Sequence, residues 1–127
     1  MKRTEHPDGT EVAPFYVRAI RTGPFVFVSG TTSLYPQGRV QGLDAAAQTR
    51  ITLDKIEKSL AQAGAGMSDI VRLTIFITDL ADGSAVSVEI AKAMPRPITS
   101  TLIGIVGLVQ PGLLVEIETT AVVADSA

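Results

Sequence analysis

The chain has 127 residues and a mass of 13.3 kDa, with 46% hydrophobic and 19% charged residues and a mean hydropathy of +0.31; this is the composition of one folded domain and excludes a globally disordered chain. Eleven Lys and Arg oppose thirteen Asp and Glu, a net charge of -2, which excludes a generally basic nucleic-acid binder. With no cysteine and a single histidine, His6, disulfides, thiolate nucleophiles and cysteine zinc sites are excluded, and chemistry falls to carboxylates, arginine, hydroxyls, backbone groups and water.

Residues 1–14 are polar and carry Pro7, Gly9 and Pro14, which reads as a loose N-terminal arm ahead of a single domain over 15–127. Lys2 and Arg3 are followed by no apolar run, so no signal peptide is expected. A strand-like pattern over 15–20, a Thr22-Gly23-Pro24 turn and a second strand over Phe25–Ser29 make a β-hairpin. Tyr35 to Arg39 is a loop. Residues 44–63 are the clearest helix: Leu53, Ile56, Leu60 and Ala63 form an apolar stripe that Ala46 and Thr49 extend backwards. Asp44 is placed to cap its N-terminus and Gly64 to end it. The face bearing Arg50, Asp54, Lys55, Glu57 and Lys58 should be solvated.

A strand over 69–79 follows, with Val71, Leu73, Ile75 and Ile77 on an apolar face against Arg72, Thr74, Phe76 and Thr78. Residues 82–94 read as a second helix, on Ala85, Val88, Ile90 and Ala93, ended by Pro95 and Pro97. Strands over 98–106 and 113–123 flank a turn at 109–112. The stretch from Leu102 to Val115 is broken by Gly104, Gly107, Pro111 and Gly112, so it is too short and interrupted to cross a bilayer, and a cytoplasmic location is the expectation. The order β-β-α-β-α-β-β predicts an α+β two-layer domain, a mixed sheet with two helices on one face. So apolar a small chain has apolar surface left for partner subunits, and the uncovered sheet face predicts an oligomer packed sheet to sheet.

Glu116 and Glu118 lie two apart on the last strand and share a face. A partly buried carboxylate there acquires a raised pKa and exchanges protons near neutrality; the alternative is solvation, or pairing with Arg72 or Arg96. Thr99, Ser100 and Thr101 place three hydroxyls after Pro97, able to orient a carboxylate or water, or present only for strand propensity. Ser29 ends the second strand, where site residues or a plain turn are equally at home. Tyr16 suits either a hydroxyl over a planar ligand or the hairpin core. There is no phosphate loop, dinucleotide fingerprint or zinc spacing.

Several stretches taken in order resemble the YjgF/Rid family, also called reactive intermediate (enamine/imine) deaminases: Tyr16-Val17-Arg18-Ala19, Phe27-Val28-Ser29-Gly30, Ala47-Gln48-Thr49-Arg50 with Leu53, and Ala63-Gly64. Asp69-Ile70-Val71, Phe76-Ile77-Thr78-Asp79-Leu80 and Val115-Glu116-Ile117-Glu118 with Ala121-Val122 continue the match, which spans about residues 15–123. The resemblance implies a chorismate-mutase-like fold and a homotrimer with ligand clefts between subunits. It also implies cofactor-free hydrolysis of an imine to a ketone or 2-keto acid with loss of ammonia. Glu116 matches the water-positioning glutamate, Tyr16 the tyrosine over the cleft and Ser29 the serine ending the second strand. Ser87 falls where an asparagine is usual. Thr99 stands where the family's carboxylate-binding arginine is found, and Thr101 where a cysteine is common.

Loss of that guanidinium removes a bidentate clamp. Arg96, ahead of Arg18 and Arg72, is the first substitute to consider, or else a solvent-facing charge in a Pro-rich turn. Three readings follow. The first is a trimeric hydrolase acting on a small imine, enamine or related carbonyl metabolite. The second is a non-catalytic metabolite-binding or interaction trimer of the same fold. The third is an endoribonuclease or translation inhibitor, which the lone His6 and net charge oppose. A small-molecule partner, no cofactor, no metal, no nucleic acid and no membrane are the expectations.

Overall fold

Asp44 opens helix α1 (Ala45–Gln62) by accepting the free amide of Ala47 on its Oδ1 at 2.8 Å, one of the four amides a helix start leaves unpaired. The helix closes where the Ala63 and Ala65 amides return to the Leu60 carbonyl and Gly64 takes φ 78°, a left-handed turn that costs glycine little. The computed structural model describes residues 1–124, so the last three of the expected 15–127 domain lie outside the described residues.

Strands β1 (Arg3–His6), β2 (Ala19–Thr22), β3 (Phe25–Thr31), β6 (Ile70–Ile77), β7 (Thr99–Gly104) and β8 (Val115–Val122) form one sheet in the order β1-β2-β3-β8-β6-β7. The pair β6–β7 is parallel and its connection is helix α2 (Gly83–Ala93); all other pairs are antiparallel. Strands β4 (Leu34–Tyr35) and β5 (Arg39–Val40) make a separate small hairpin. Both helices are joined to the same apolar core, in which Ile56, Leu60 and Val86 meet Val26, Leu73, Ile77 and Ile117, all buried. Each such side chain gains about 1.5–3 kcal/mol on burial, more than a residue's helix propensity can offer, so packing fixes the layers. The mixed two-layer α+β architecture is therefore the one expected, and no described helix is long and apolar enough to cross a membrane.

Four details differ from expectation. The stretch read as a loose arm contains β1, whose backbone pairs with β2 from Arg3↔Thr22 to His6↔Ala19; an edge strand needs backbone partners more than apolar side chains, so Arg-Thr-Glu-His carries no hydrophobic signal. The first hairpin strand begins at Ala19, not Phe15. In β6, Ile70 pairs with Ala121 while Arg72 pairs with Thr120. The extra residue, Val71, is bulged out to the open face and Ile70 is buried in its stead. In α2 the buried residues are Val86, Glu89 and Ile90, leaving Val88 exposed; Glu89 is covered because Arg50 of α1 bonds its Oε1 at 3.0 Å and Lys92 stands 3.5 Å away.

The other sheet face is bare. Phe25, Phe27, Val71 and Ile103 are exposed on it, next to Arg72, Thr101 and Glu118.

Candidate functional site

The pairing of β3 with β8 slips at Ser29–Gly30: Val28 faces Thr119 and Thr31 faces Ile117, three steps against two. Such a bulge bends the strand and re-aims its neighbours. Across it lies Glu116, on the open face of β8. A Cβ at Gly30 would stand 3.0 Å from Glu116 Cδ and 3.1 Å from its Oε1, so the carboxylate rests in space that only glycine leaves vacant. Glu116 is half-buried. Burial pushes its pKa above the usual carboxylate range; Arg18 pulls against this, Glu118 adds to it, and burial prevails.

The bulge is held by Arg18. Its guanidinium donates to the Ser29 carbonyl at 3.1 Å, to the Gly30 carbonyl at 3.1 and 3.2 Å, and to Thr31 Oγ1. Arg18 is thus committed to backbone and supports Glu116 electrostatically. Its own amide donates to Glu11 Oε2 at 2.9 Å, and the Asp8 and Gly9 amides also bond that carboxylate. Burial of Glu11 works against these bonds, but the backbone donors hold its pKa below the ordinary value. Ser29 Oγ donates to the Val17 carbonyl at 2.6 Å, and Tyr16 Oη accepts the Val12 amide at 3.1 Å. Ser29 thus stands at the bulge with its proton already spent, and Tyr16 keeps its own proton available.

Lys55 is not on a solvated face. Its Nζ donates to the Thr32 and Leu34 carbonyls at 2.7 and 2.8 Å and stands 4.8 Å from the Tyr35 ring centroid. Burial, with a smaller push from Arg18, lowers its pKa to about 8.

The remaining candidates lie elsewhere in the protomer. Ser87 and Arg96 line a cavity of about 430 Å³ on the helix side of the sheet, between α2 and β7, with Ile75, Ile90, Met94 and Leu102. Arg96 donates its Nε to the Ser68 carbonyl at 2.9 Å. Within one chain neither residue shares a face with Glu116, and Arg96 does not stand beside Thr99 on the open face; helix α2 and the Pro95–Pro97 turn carry them to the opposite layer. Thr99 and Thr101 do face the open side of β7, in a depression of about 380 Å³ shared with Arg72, Thr74 and Ser100. Thr99 Oγ1 donates to the Val71 carbonyl at 2.7 Å, so it has no proton left for an anion. Ile103 on β7, Phe76 on β6 and Glu116 on β8 are in register. Four residues along β7 and two strands across separate Thr99 from Glu116 by about 16 Å. Gly30 is the residue that sequence reasoning passed over as a site element, and Arg18, considered there as a substitute clamp, is instead bonded to the Ser29 and Gly30 carbonyls. The described residues contain no cluster of three or more His, Asp or Glu suited to a metal.

The profile described as Endoribonuclease L-PSP matches residues 9–123. This chain belongs to that family, the YjgF/Rid proteins. A curated relative, the 3-aminoacrylate deaminase RutC of Acinetobacter baylyi, is 38% identical over 118 residues, 91% of this chain and 93% of RutC. A crystal structure of a YjgF/YER057c/UK114 member from Mycobacterium tuberculosis is 44% identical, with TM-score 0.85 over 96% of this chain and all of that one. Escherichia coli TdcF, whose structure has serine bound, is 27% identical, with TM-score 0.81 over 91% of this chain and 92% of its own. The family assignment and the α+β fold expected from the motifs thus both hold. In this YjgF/Rid protein Glu116 lies on β8 and Thr99 at the start of β7.

Proposed function

We propose that this YjgF/Rid protein is a deaminase that hydrolyses a small imine or enamine, without a cofactor, in a cleft completed by a second copy of the chain in a homotrimer. The observation that carries this reading is Glu116: a half-buried carboxylate of raised pKa, lying against Gly30 on an open sheet face. Such a group takes a proton from water and returns it to the substrate. Water oxygen adds to the imine carbon while the C=N π pair moves to nitrogen. Glu116 accepts the water proton and passes it to that nitrogen. The carbinolamine then expels ammonia as its hydroxyl becomes the carbonyl. Atoms balance as imine plus water giving ketone plus ammonia. An enamine enters the same course after protonation at carbon.

The deaminase named among the relatives and the amino acid bound to TdcF support a small nitrogenous substrate. The bare face with Phe25 and Phe27 supports burial against another copy. The separation of Glu116 from the hydroxyls of β7 supports a site drawn from two chains. Tyr16, with its free phenolic proton, is assigned to substrate binding beside Glu116.

The test is turnover of imines generated in place by an amino-acid oxidase, read by competition with semicarbazide. Glu116→Gln should lose at least about a hundredfold in rate, the contribution of a positioned acid–base group; full retention removes Glu116 from the mechanism. A second reading is favoured by one observation, the committed Thr99 hydroxyl: a trimer that binds a metabolite without turning it over. Saturable binding with no ammonia release from any imine would select it. RNA cleavage finds little support in a chain of net charge -2 whose histidine, His6, sits in edge strand β1.

A further inference from the structure

Residues 7–18 join two strand ends that pair with each other, His6 of β1 and Ala19 of β2. None of them is buried and none belongs to the apolar core. A loop of this length with joined ends keeps one shape only through bonds of its own. Those bonds converge on one carboxylate. Glu11 Oε2 accepts the Asp8 amide at 3.1 Å and the Arg18 amide at 2.9 Å, and its Oε1 accepts the Gly9 amide at 3.0 Å. The other bonds are local: Asp8 Oδ1 takes the Thr10 amide and hydroxyl at 2.8 and 2.6 Å, and Tyr16 Oη takes the Val12 amide. Among the described residues Glu11 is the side chain that ties the start of the loop to its end.

Arg18 stands at that end. Its guanidinium holds the Ser29 and Gly30 carbonyls, and Gly30 leaves the space in which the Glu116 carboxylate lies. Where the Arg18 backbone is seated therefore decides where the brace of the bulge is seated. Lys55, on the far side of the bulge, is anchored separately to the Thr32 and Leu34 carbonyls. The charges that bear on Glu116 are those of Arg18 and Glu118, and Glu11 is not one of them. We infer that Glu11 is a positioning residue for Glu116: by closing the 7–18 loop on the Arg18 amide it fixes the guanidinium that braces the bulge, without touching the reacting atoms. In its bearing on turnover this rests on the deaminase reading above. The sign of the effect separates a latch from a direct charge. A carboxylate acting through space raises the pKa of another, so its removal would lower the pKa of Glu116. Removal of a latch lets the Arg18 cation withdraw, which raises it.

Carboxyl-carbon NMR titration of Glu116 in the intact wild-type chain, Glu11→Ala and Glu11→Gln tests this without any need for turnover. Glu11→Ala should move the Glu116 midpoint upward by about half a pH unit, the change expected when a cation at an effective dielectric constant of about 20 draws back by a few ångström. Glu11→Gln should fall between Glu11→Ala and wild type. Its single amide oxygen can still accept the Asp8 and Arg18 amides, while its NH2 meets the Gly9 amide donor to donor. The loop lies outside the core, so both variants should stay folded, with Tm read alongside. An unmoved midpoint in Glu11→Ala overturns the inference whatever the Tm, and so does a downward shift, which makes Glu11 a direct charge. In imine turnover Glu11→Ala should lose about tenfold in kcat, since a misplacement of about 1 Å costs on the order of a hundredfold. Its pH profile should move upward with the NMR midpoint, and Glu11→Gln should restore part of the rate. Turnover by wild type that Glu11→Ala leaves unchanged overturns the positioning role and spares the deaminase. An upward midpoint in Glu11→Ala, with no imine turned over even by wild type, keeps the placement of Glu116 by Glu11 and removes the deaminase.

Discussion

Replacing Gly30 by alanine is the sharpest probe of how closely the backbone of β3 approaches Glu116. Gly30 does not need a left-handed backbone, so alanine brings no conformational penalty, only a methyl group. That methyl would stand 3.0 Å from Glu116 Cδ, 3.1 Å from Oε1 and 3.4 Å from Cγ. These contacts are tighter than ordinary ones, so the carboxylate must retreat by a few tenths of an ångström. Because the far end of a flexible side chain gives way, the stability cost should stay near the lower end of overpacking, about 1 kcal/mol, or about 4 °C in Tm for a chain of this length. Catalysis is less forgiving: a misplacement of about 1 Å costs on the order of a hundredfold, so a shift of this size should cost roughly threefold to tenfold. The added methyl also desolvates the carboxylate, moving its pKa further in the direction burial already takes it. The assays are imine turnover against pH and carboxyl-carbon NMR titration of Glu116 in wild type and Gly30→Ala. The expectation is a folded protein, a rate reduced roughly threefold to tenfold and a Glu116 titration displaced upward. An unmoved titration in a protein of native Tm would refute the contact on which the reasoning stands.

Gln48 is buried in α1 and bonds the Gly42 and Gly112 carbonyls through Nε2 at 3.2 and 2.9 Å and the Leu114 amide through Oε1 at 2.8 Å; Gln48→Ala should cost about 3 kcal/mol by urea denaturation, since it strands buried backbone groups. For Lys55, a folded pKa of about 8 lies below the unfolded 10.5. The unfolded chain thus binds more protons between those values, and stability should rise as pH climbs from about 8 to 10.5; thermal melts should show the rise in wild type and lose it in Lys55→Met. Phe27→Glu should reduce the assembled mass in light scattering, because it puts a charge into the face proposed to be shared between copies.

What could be read from the residues was whatever local physics decides. Asp44, the Leu53-Ile56-Leu60 stripe and Gly64 define α1 because capping and 3.6-residue spacing act within a few positions. The alternation in β6 and β8 gives the two sheet faces for the same reason. Both bulges escaped, since a bulge exists only relative to its partner: nothing around Val71 or Ser29-Gly30 signals that β8 pairs with a one-residue slip. Glu116 was picked out by a charge in an apolar strand, but its contact with Gly30 depends on the β3–β8 slip. Arg18 looked like a strand arginine and turned out to be the brace of the bulge. Arg96 failed as Thr99's neighbour because sequence proximity across a Pro-rich turn says nothing about layer, whereas Arg72, 27 positions earlier, becomes Thr99's neighbour by parallel pairing.

Strand β1 gives the amino terminus a protective duty. Four polar residues, two of them bearing the opposite charges of Arg3 and Glu5 3.4 Å apart, form the outer border of the sheet and offer a passing chain little to pair with. Trimming those residues would uncover the backbone of Ala19–Thr22, a border with an apolar Ile20 and no acidic guard. Shortened versions of this protein should therefore be sticky before they are unstable, gathering into aggregates at concentrations where the intact chain stays dispersed.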